Sequence, residues 1–330
     1  VEVSLLVPRG ATGVYDDATR DVRDGAALAA AELGDAFVTV RVVDSSGGPQ
    51  AAKAAAEAAA ARKAGLLLSY NGLETTSAIA SIPAASRPPI INLSQSAAGE
   101  NAFNFQTDEI AAAAKAAQGA SPTARKSVVI IAPVNLSSEQ EKRLTGLIQQ
   151  GGGQTRAVLR YQETGSEAGN LTASKPDDVQ GASALLILGN TAAVGKVLAH
   201  VKKLNATAQI LGTETWPVAA FANPAANGAI IGASEQEGSA LIADRFKRHK
   251  GRTLTPNAAR AYDSVAIASG LVRAGGAEAL TAPALASPTG FRGASGVFRF
   301  NANGSVERQL GIYKVEGGKL VPLQAAGASF

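Results

Sequence analysis

Ser94, Gln95 and Ser96 follow directly on the apolar run Ile90-Ile-Asn-Leu93, and Thr75 and Thr76 come soon after Leu66-Leu-Leu-Ser69. In the second half Asn190 and Thr191 follow Ala184-Leu-Leu-Ile-Leu188, and Glu214 with Trp216 follows Gln209-Ile-Leu211. Hydroxyls and amides at such places bind a ligand through hydrogen bonds without attacking it. A carboxylate beside an aromatic holds a cation. With hydroxyls and helix N–H groups in one half and a carboxylate and an aromatic in the other, the set would clamp a zwitterion. Each of these residue types also serves in caps and turns, so the weight lies in their agreement in position, just past an apolar run. The loop Tyr70-Asn71-Gly-Leu-Glu74-Thr75 occupies the same kind of place and joins the candidate set.

Catalytic constellations are missing. The chain has no cysteine, which removes thiol nucleophiles, disulfides and thiolate metal sites. His200 and His249 sit beside lysines, and neither stands at metal-ligand spacing from another ligand, so both read as surface residues. Gly293-Ala-Ser-Gly296 is too short for a nucleophile elbow. Gly189-Asn-Thr-Ala-Ala-Val-Gly-Lys196 imitates a phosphate loop, yet five residues separate its glycines and Val197 stands where a magnesium-binding hydroxyl is needed. No nucleophile–base pair can be named. The expectation is a non-enzymatic chain without cofactor or metal.

The composition narrows the partners. A net charge of +4 and a pI near 9.3 are mild, and the one dense basic run, Arg245-Phe-Lys-Arg-His-Lys250, reads as a solvated helix end rather than a nucleic-acid patch. Nucleic acid is therefore not an expected partner. No apolar run approaches the ~20 residues that span a bilayer. The chain contains no methionine, even at its start, which fits a mature form whose leader has been removed.

Short apolar runs alternating with Ala-rich helical stretches must position these loops. Val3-Ser-Leu-Leu-Val-Pro8 opens the chain and Ser127-Val-Val-Ile-Ile-Ala-Pro133 reopens it, each followed by a polar loop and a helix. Such runs read as parallel strands buried on both faces, in an α/β fold with two mainly parallel sheets. Strands are expected at 37–43, 65–69, 88–93, 157–161, 184–188, 209–211 and 229–231, with helices over 17–33, 51–64, 191–204 and 256–275. Thr107 reads as an N-cap, and Ser138-x-x-Glu141 has the form of a capping box. From Gly296 onward, alternating runs broken by Asn303-Gly304 and Gly317-Gly318 read as one antiparallel meander.

Several segments together resemble the type I periplasmic solute-binding proteins of branched-chain amino-acid ABC transport. They are Val3–Pro8, Asp24-Gly-Ala-Ala-Leu-Ala-Ala30, Val42-Val-Asp-Ser-Ser-Gly-Gly-Pro49, Pro89-Ile-Ile-Asn-Leu-Ser94, Gly212-Thr-Glu-Thr-Trp216, Ala261-Tyr-Asp-Ser-Val265 and Gly293-Ala-Ser-Gly-Val-Phe-Arg-Phe300. The resemblance implies a two-lobed Venus-flytrap fold with a ligand cleft between lobes 1–122 plus 249–310 and 123–248 plus 311–330, joined by three crossings. It implies a small polar ligand, an amino acid or related carboxylate, bound by hinge closure. The implied partner is an ABC-transporter permease, and the implied location is periplasmic, free or lipid-anchored. Ser94 and Ser96 match positions that hold the ligand carboxylate, Glu214 the ammonium-binding acid, and Tyr15 an aromatic at the cleft mouth. Glu74 falls where the family uses a serine, and the second-lobe tyrosines are replaced around Asn135 and Thr191. Gly212–Trp216, Tyr262-Asp263 and the ending through Phe300 are also similar to penicillin-binding protein activators, which implies an alternative role as an envelope regulator that contacts a cell-wall synthase.

Overall fold

In the opening strand Val3, Leu5 and Val7 face one way and Leu6 the other, and all four are fully buried. That is the signature of a strand covered on both faces. The computed structural model describes residues 1–330 apart from 11, 12, 14, 35, 36, 107, 173–175 and 236. The chain forms two compact units, one of residues 1–106, 235–309 and 328–330, the other of 107–234 and 310–327.

The first unit begins β1 (Glu2–Val7), α1 (Asp17–Ala29), β2 (Thr39–Asp44), α2 (Pro49–Ala61), β3 (Leu66–Ser69), α3 (Leu73–Ala80), β4 (Ile90–Asn92) and β5 (Ala102–Asn104). The second follows with α4 (Glu109–Gly119), β6 (Val128–Pro133), α5 (Ser138–Gln150), β7 (Thr155–Tyr161), β8 (Leu171–Thr172), α6 (Pro176–Gln180), β9 (Ala184–Ile187), α7 (Ala193–Leu204), β10 (Gln209–Thr213), α8 (Val218–Phe221) and β11 (Ile230–Ser234). The chain then returns to the first unit for α9 (Glu237–Lys250), α10 (Pro256–Gly275), α11 (Ala282–Leu285), β12 (Phe291–Gly293), β13 (Gly296–Phe300) and β14 (Val306–Arg308). It closes in the second with β15 (Leu310–Glu316) and β16 (Lys319–Gln324).

The first unit's five strands run parallel in the order β2-β1-β3-β4-β5, with Leu5 opposite Leu68 and Leu68 opposite Ile91. Val3, Leu5, Val7, Leu68 and Ile91 pack against α1 and α10, while Leu6, Leu67 and Ile90 pack against Ala52, Ala56 and Ala59 of α2 and Ile79 of α3. Each such aliphatic side chain, fully buried, stabilises the fold by roughly 1.5–3 kcal/mol. Alanine-rich helix faces suit this packing because small residues let backbones approach. At the α1–α10 crossing a Cβ on Gly25 would lie 2.1 Å from the Ala258 carbonyl oxygen. In the second unit α4 lies on β10 and β11, where a Cβ on Gly232 would lie 1.9 Å from the Ala112 carbonyl oxygen.

The second sheet has the order β16-β15-β11-β10-β9-β6-β7-β8; β6, β7, β9, β10 and β11 are parallel, and β8, β15 and β16 run antiparallel to their neighbours. Val129, Ile131, Leu185 and Ile187 face α7, and Val128, Ile130 and Leu186 face α4 and α5.

Several local expectations change. The helix expected over 17–33 forms as α1, capped by Asp16 on the Thr19 amide (2.7 Å), and then loosens into a π-helical turn at Ala30–Gly34. The capping box uses Ser137 and Gln140, one residue before the expected Ser138 and Glu141. Thr107 lies outside the described residues, and Asp108 caps α4 on the Ala111 amide. The single meander divides: β12-β13-β14 form a small antiparallel sheet in the first unit, packed through Phe298 and Phe300 on Phe105, while β15 and β16 extend the second unit's sheet. The unit bounds follow packing rather than element order. The sequence reading assigns 107–122 to the first lobe and 235–248 to the second, but α4 covers β10 and β11, and α9 packs on α1.

Candidate functional site

Strand order in each sheet reverses at one place, between β1 and β3 in the first unit and between β6 and β9 in the second. Open α/β sheets bind ligands outside the carboxyl ends of the strands at such reversals, where helix N-termini converge and neighbouring loops diverge. The loops that matter most therefore follow β1 and β3 in one unit and β6 and β9 in the other. All fourteen residues expected from the sequence lie in these loops, at the ends of β4 and β10, or close beside them.

In the first unit the expected residues divide sharply by what they already bond. Asn71 is buried; its Nδ2 donates to the Leu6 carbonyl (3.1 Å) and the Ser69 hydroxyl (3.1 Å), and its Oδ1 accepts from Ser45 (2.6 Å). Both of its N–H donors are spent, and it serves as a strut joining the ends of β1, β2 and β3. Ser94 donates to the Asn71 carbonyl (2.6 Å) and accepts from the Asn71 amide (2.9 Å), so its proton is committed. Ser96 donates to Gln106 Oε1 (2.6 Å), whose amide in turn donates to the Asn92 carbonyl (2.9 Å). The two serines expected to hold a carboxylate are thus engaged in holding loops.

Glu74 and Gln95 are exposed and Thr75 is half-buried, and none makes a side-chain hydrogen bond among the described residues. Tyr70 is half-buried, with its hydroxyl accepting from Asn257 Nδ2 (3.1 Å); burial, with Asp16 adding to it, pushes its phenol upward. Tyr15 is half-buried and carries two guanidinium groups against its ring, Arg23 at 4.3 Å and Arg9 at 5.6 Å from the centroid.

In the second unit the carboxyl ends of β9 and β10 are drawn together by an acid outside the expected set. Glu109, in the first turn of α4, accepts through Oε1 from the Gly189 amide (2.7 Å), Thr215 Oγ1 (2.7 Å) and Thr213 Oγ1 (3.4 Å). Glu214 accepts from the Ser234 amide (3.1 Å) and hydroxyl (2.8 Å), which ties β10 to the end of β11. Asn190 is exposed, Asn135 donates to Glu163 (3.1 Å), and the Thr191 hydroxyl oxygen is buried with no partner among the described residues.

Trp216 corrects its expected role. Its ring is buried, its Nε1 donates to the Ile187 carbonyl (2.8 Å), and a Cβ on Gly212 would collide with it. It is a core residue that seals the sheet against α8, with Phe221 at 5.7 Å, and it presents no face to a ligand. Tyr161 is buried in the same way, donating to the Leu188 carbonyl (2.8 Å), and burial drives its phenol far up.

Among the described residues there is no group of three or more His, Cys, Asp or Glu that could hold a metal ion, and no helix is long and apolar enough to cross a membrane. The arrangement offers hydrogen-bond donors, acceptors and charges at the ends of both sheets. Groups of this kind can bind and orient a ligand.

A family model described as periplasmic binding protein matches residues 1–319. No curated protein matches the sequence. Among solved structures, a putative branched-chain amino acid ABC transporter protein from Rhodospirillum rubrum superposes with a TM-score of 0.80 at 17% identity, covering 98% of this chain and 99% of that one. A solute-binding protein of an ABC transporter from R. palustris in complex with benzoate gives 0.70 at 17% identity, over 100% and 97%. The branched-chain amino acid transporter substrate-binding protein of Streptococcus pneumoniae in complex with isoleucine gives 0.67 at 15% identity, over 99% of each chain.

Proposed function

The chain belongs to the periplasmic binding protein family, and from that premise we propose that it is the solute-binding receptor of an ABC transporter, with an amino acid or related small carboxylate as its ligand. The family and fold are those of non-enzymatic solute-binding proteins, and catalysis is not part of this reading. The observation that carries it is the family match along 319 residues, which includes every loop at a sheet reversal. Isoleucine and benzoate, bound by the two structural neighbours, differ in side chain and in the presence of an ammonium group, but both carry a carboxylate. The receptor works outside the cytoplasm and passes its ligand to a membrane permease.

The test is thermal unfolding of the purified chain in the presence of leucine, isoleucine, benzoate and a wider set of small carboxylic acids. A ligand at 100 times its dissociation constant stabilises the native state by about 2.7 kcal/mol. At least one member of the set should do so. If none raises the melting temperature at millimolar concentration, the receptor reading is wrong.

A further inference from the structure

Arg23 lies on α1, seven residues past the Asp16 cap, and side chains on a helix lean toward its N-terminus. Its guanidinium comes back over Tyr15, with Cζ 4.3 Å from the ring centroid. Arg9, in the loop after β1, approaches the same ring and reaches the Tyr15 hydroxyl at 3.4 Å, but its charge is matched by Asp44 at 3.5 Å. The charge of Arg23 is not matched. Among the described residues it has no ion pair and no hydrogen bond, and its Nε is buried without a partner. The residue is partly exposed, so the rest of its fork can be reached.

A ring beneath the guanidinium satisfies one of its faces, and with Nε buried the N–H donors of the two Nη atoms are the ones left for a partner. A fork held in this way is preorganised for a planar, bidentate anion. Of the hydroxyls expected in this unit, Ser94 is committed to the Asn71 carbonyl and Ser96 to Gln106; Thr75 stays open, but it is neutral and offers a single O–H where the guanidinium offers a charge and a fork.

We propose that Arg23, held face-on by Tyr15 in the loop region beyond β1, is the carboxylate-binding group of the first unit, and that the ligand is a compound with a free carboxylate. This deepens the receptor reading and rests on it. A ligand oxygen pair would take the fork edge-on, with Tyr15 supporting the far face. Tyr15 is then a positioning residue.

The experiment is isothermal titration of the wild-type chain, Arg23→Gln, Arg23→Lys and the control Arg62→Gln with leucine, isoleucine and benzoate, and with leucinamide and benzamide. Arg62 pairs with Glu2, at the opening end of β1, and removes the same charge away from the proposed site. The wild type and Arg62→Gln should bind at least one of the carboxylates and should bind its amide at least about tenfold more weakly. Arg23→Gln should lose at least about thirtyfold on that carboxylate, the scale of losing a buried charge partner. Arg23→Lys should fall between, because an ammonium keeps the charge but not the fork. The melting temperature of Arg23→Gln should fall by no more than about 4 °C, the scale of one partly exposed cation–π contact, since the ring of Tyr15 is the only partner lost among the described residues; if that variant does not fold, Arg23→Lys carries the comparison. Equal carboxylate binding by wild type and Arg23→Gln overturns the role of Arg23 and leaves the receptor reading standing. Amide binding as tight as carboxylate binding overturns the ligand class. No binding by the wild type of these five compounds or of any acid in the thermal-unfolding set overturns this proposal together with the receptor reading.

Discussion

Glu214→Gln separates a strand-end strut from a ligand contact. In the folded chain the Glu214 carboxylate accepts two hydrogen bonds, from the Ser234 amide at 3.1 Å and its hydroxyl at 2.8 Å. Hydrogen bonds to a charged group are worth about 1.5–3 kcal/mol and neutral ones about 0.5–1.5. In glutamine one oxygen can keep the amide bond, and the new NH2 can donate to the Ser234 hydroxyl if that hydroxyl turns. The loss is then charge assistance on two partly exposed bonds, about 1–2 kcal/mol. For a unit of this size each kcal/mol lowers the melting temperature by about 2–4 °C. Calorimetric unfolding without ligand should show that drop, and Ser234→Ala in the Glu214→Gln background should cost less than Ser234→Ala alone. If Glu214 also holds a ligand ammonium, leucine affinity should fall by roughly 30- to 4,000-fold. A drop in melting temperature with leucine affinity unchanged confines Glu214 to the strut. An unchanged melting temperature refutes the hydrogen-bond accounting itself.

Two further outcomes follow from buried charges. The Arg87 guanidinium is buried and donates to the carbonyls of Ile82 (2.9 Å), Glu100 (2.8 Å), Ala80 (3.2 Å) and Pro88 (3.2 Å), pinning the segment that leads into β4 and β5. Arg87→Met should cost about 3–5 kcal/mol in denaturant unfolding, because it strands several buried carbonyls, and a cost under about 1 kcal/mol would contradict this. Asp263, fully buried on α10, accepts from the Ala294 amide (2.6 Å) and the Ser295 amide (2.8 Å) and hydroxyl, and burial raises its carboxyl from 3.8 to about 6 against those bonds and the nearby Arg308. Because the native state then holds the proton more tightly than the unfolded chain, this contribution is complete below about pH 4 and lost as pH rises to about 6. The stability gap between wild type and Asp263→Asn should therefore shrink from pH 4 to pH 6.5, and a gap that widens over that range would show the carboxyl to be depressed instead.

The strands that carry the loops were readable because their evidence is local. Val3–Val7, Leu66–Ser69 and Ala184–Ile187 are short apolar runs closed by turn residues, and such runs are stable only when covered on both faces. The bounds of α10 are marked by Thr255 and Pro256 at one end and Gly276 at the other. The capping box slipped by one residue because Ser137 and Ser138 both fit the pattern, and only the backbone at Ser137 (φ −70°, ψ 156°) decides which caps. β5 and β8 are three and two residues long, too short to show a period, and exist through partners elsewhere in the chain.

The sequence by itself determined where along each strand the polar groups would fall, since a residue's place just past an apolar run is fixed by its neighbours. Only the tertiary structure decided which of those groups remain able to bind. Ser94 closes on Asn71, 23 residues away, and Trp216 turns inward to the Ile187 carbonyl, 29 residues away. Glu109 gathers the ends of β9 and β10 across 80 residues or more. Arg23 has no ion pair among the described residues because its side chain leans back along α1 to Tyr15, while Asp44 is taken by Arg9. A hydroxyl or guanidinium has a fixed number of donors, and whether they are spent depends on contacts between distant segments that no local pattern encodes.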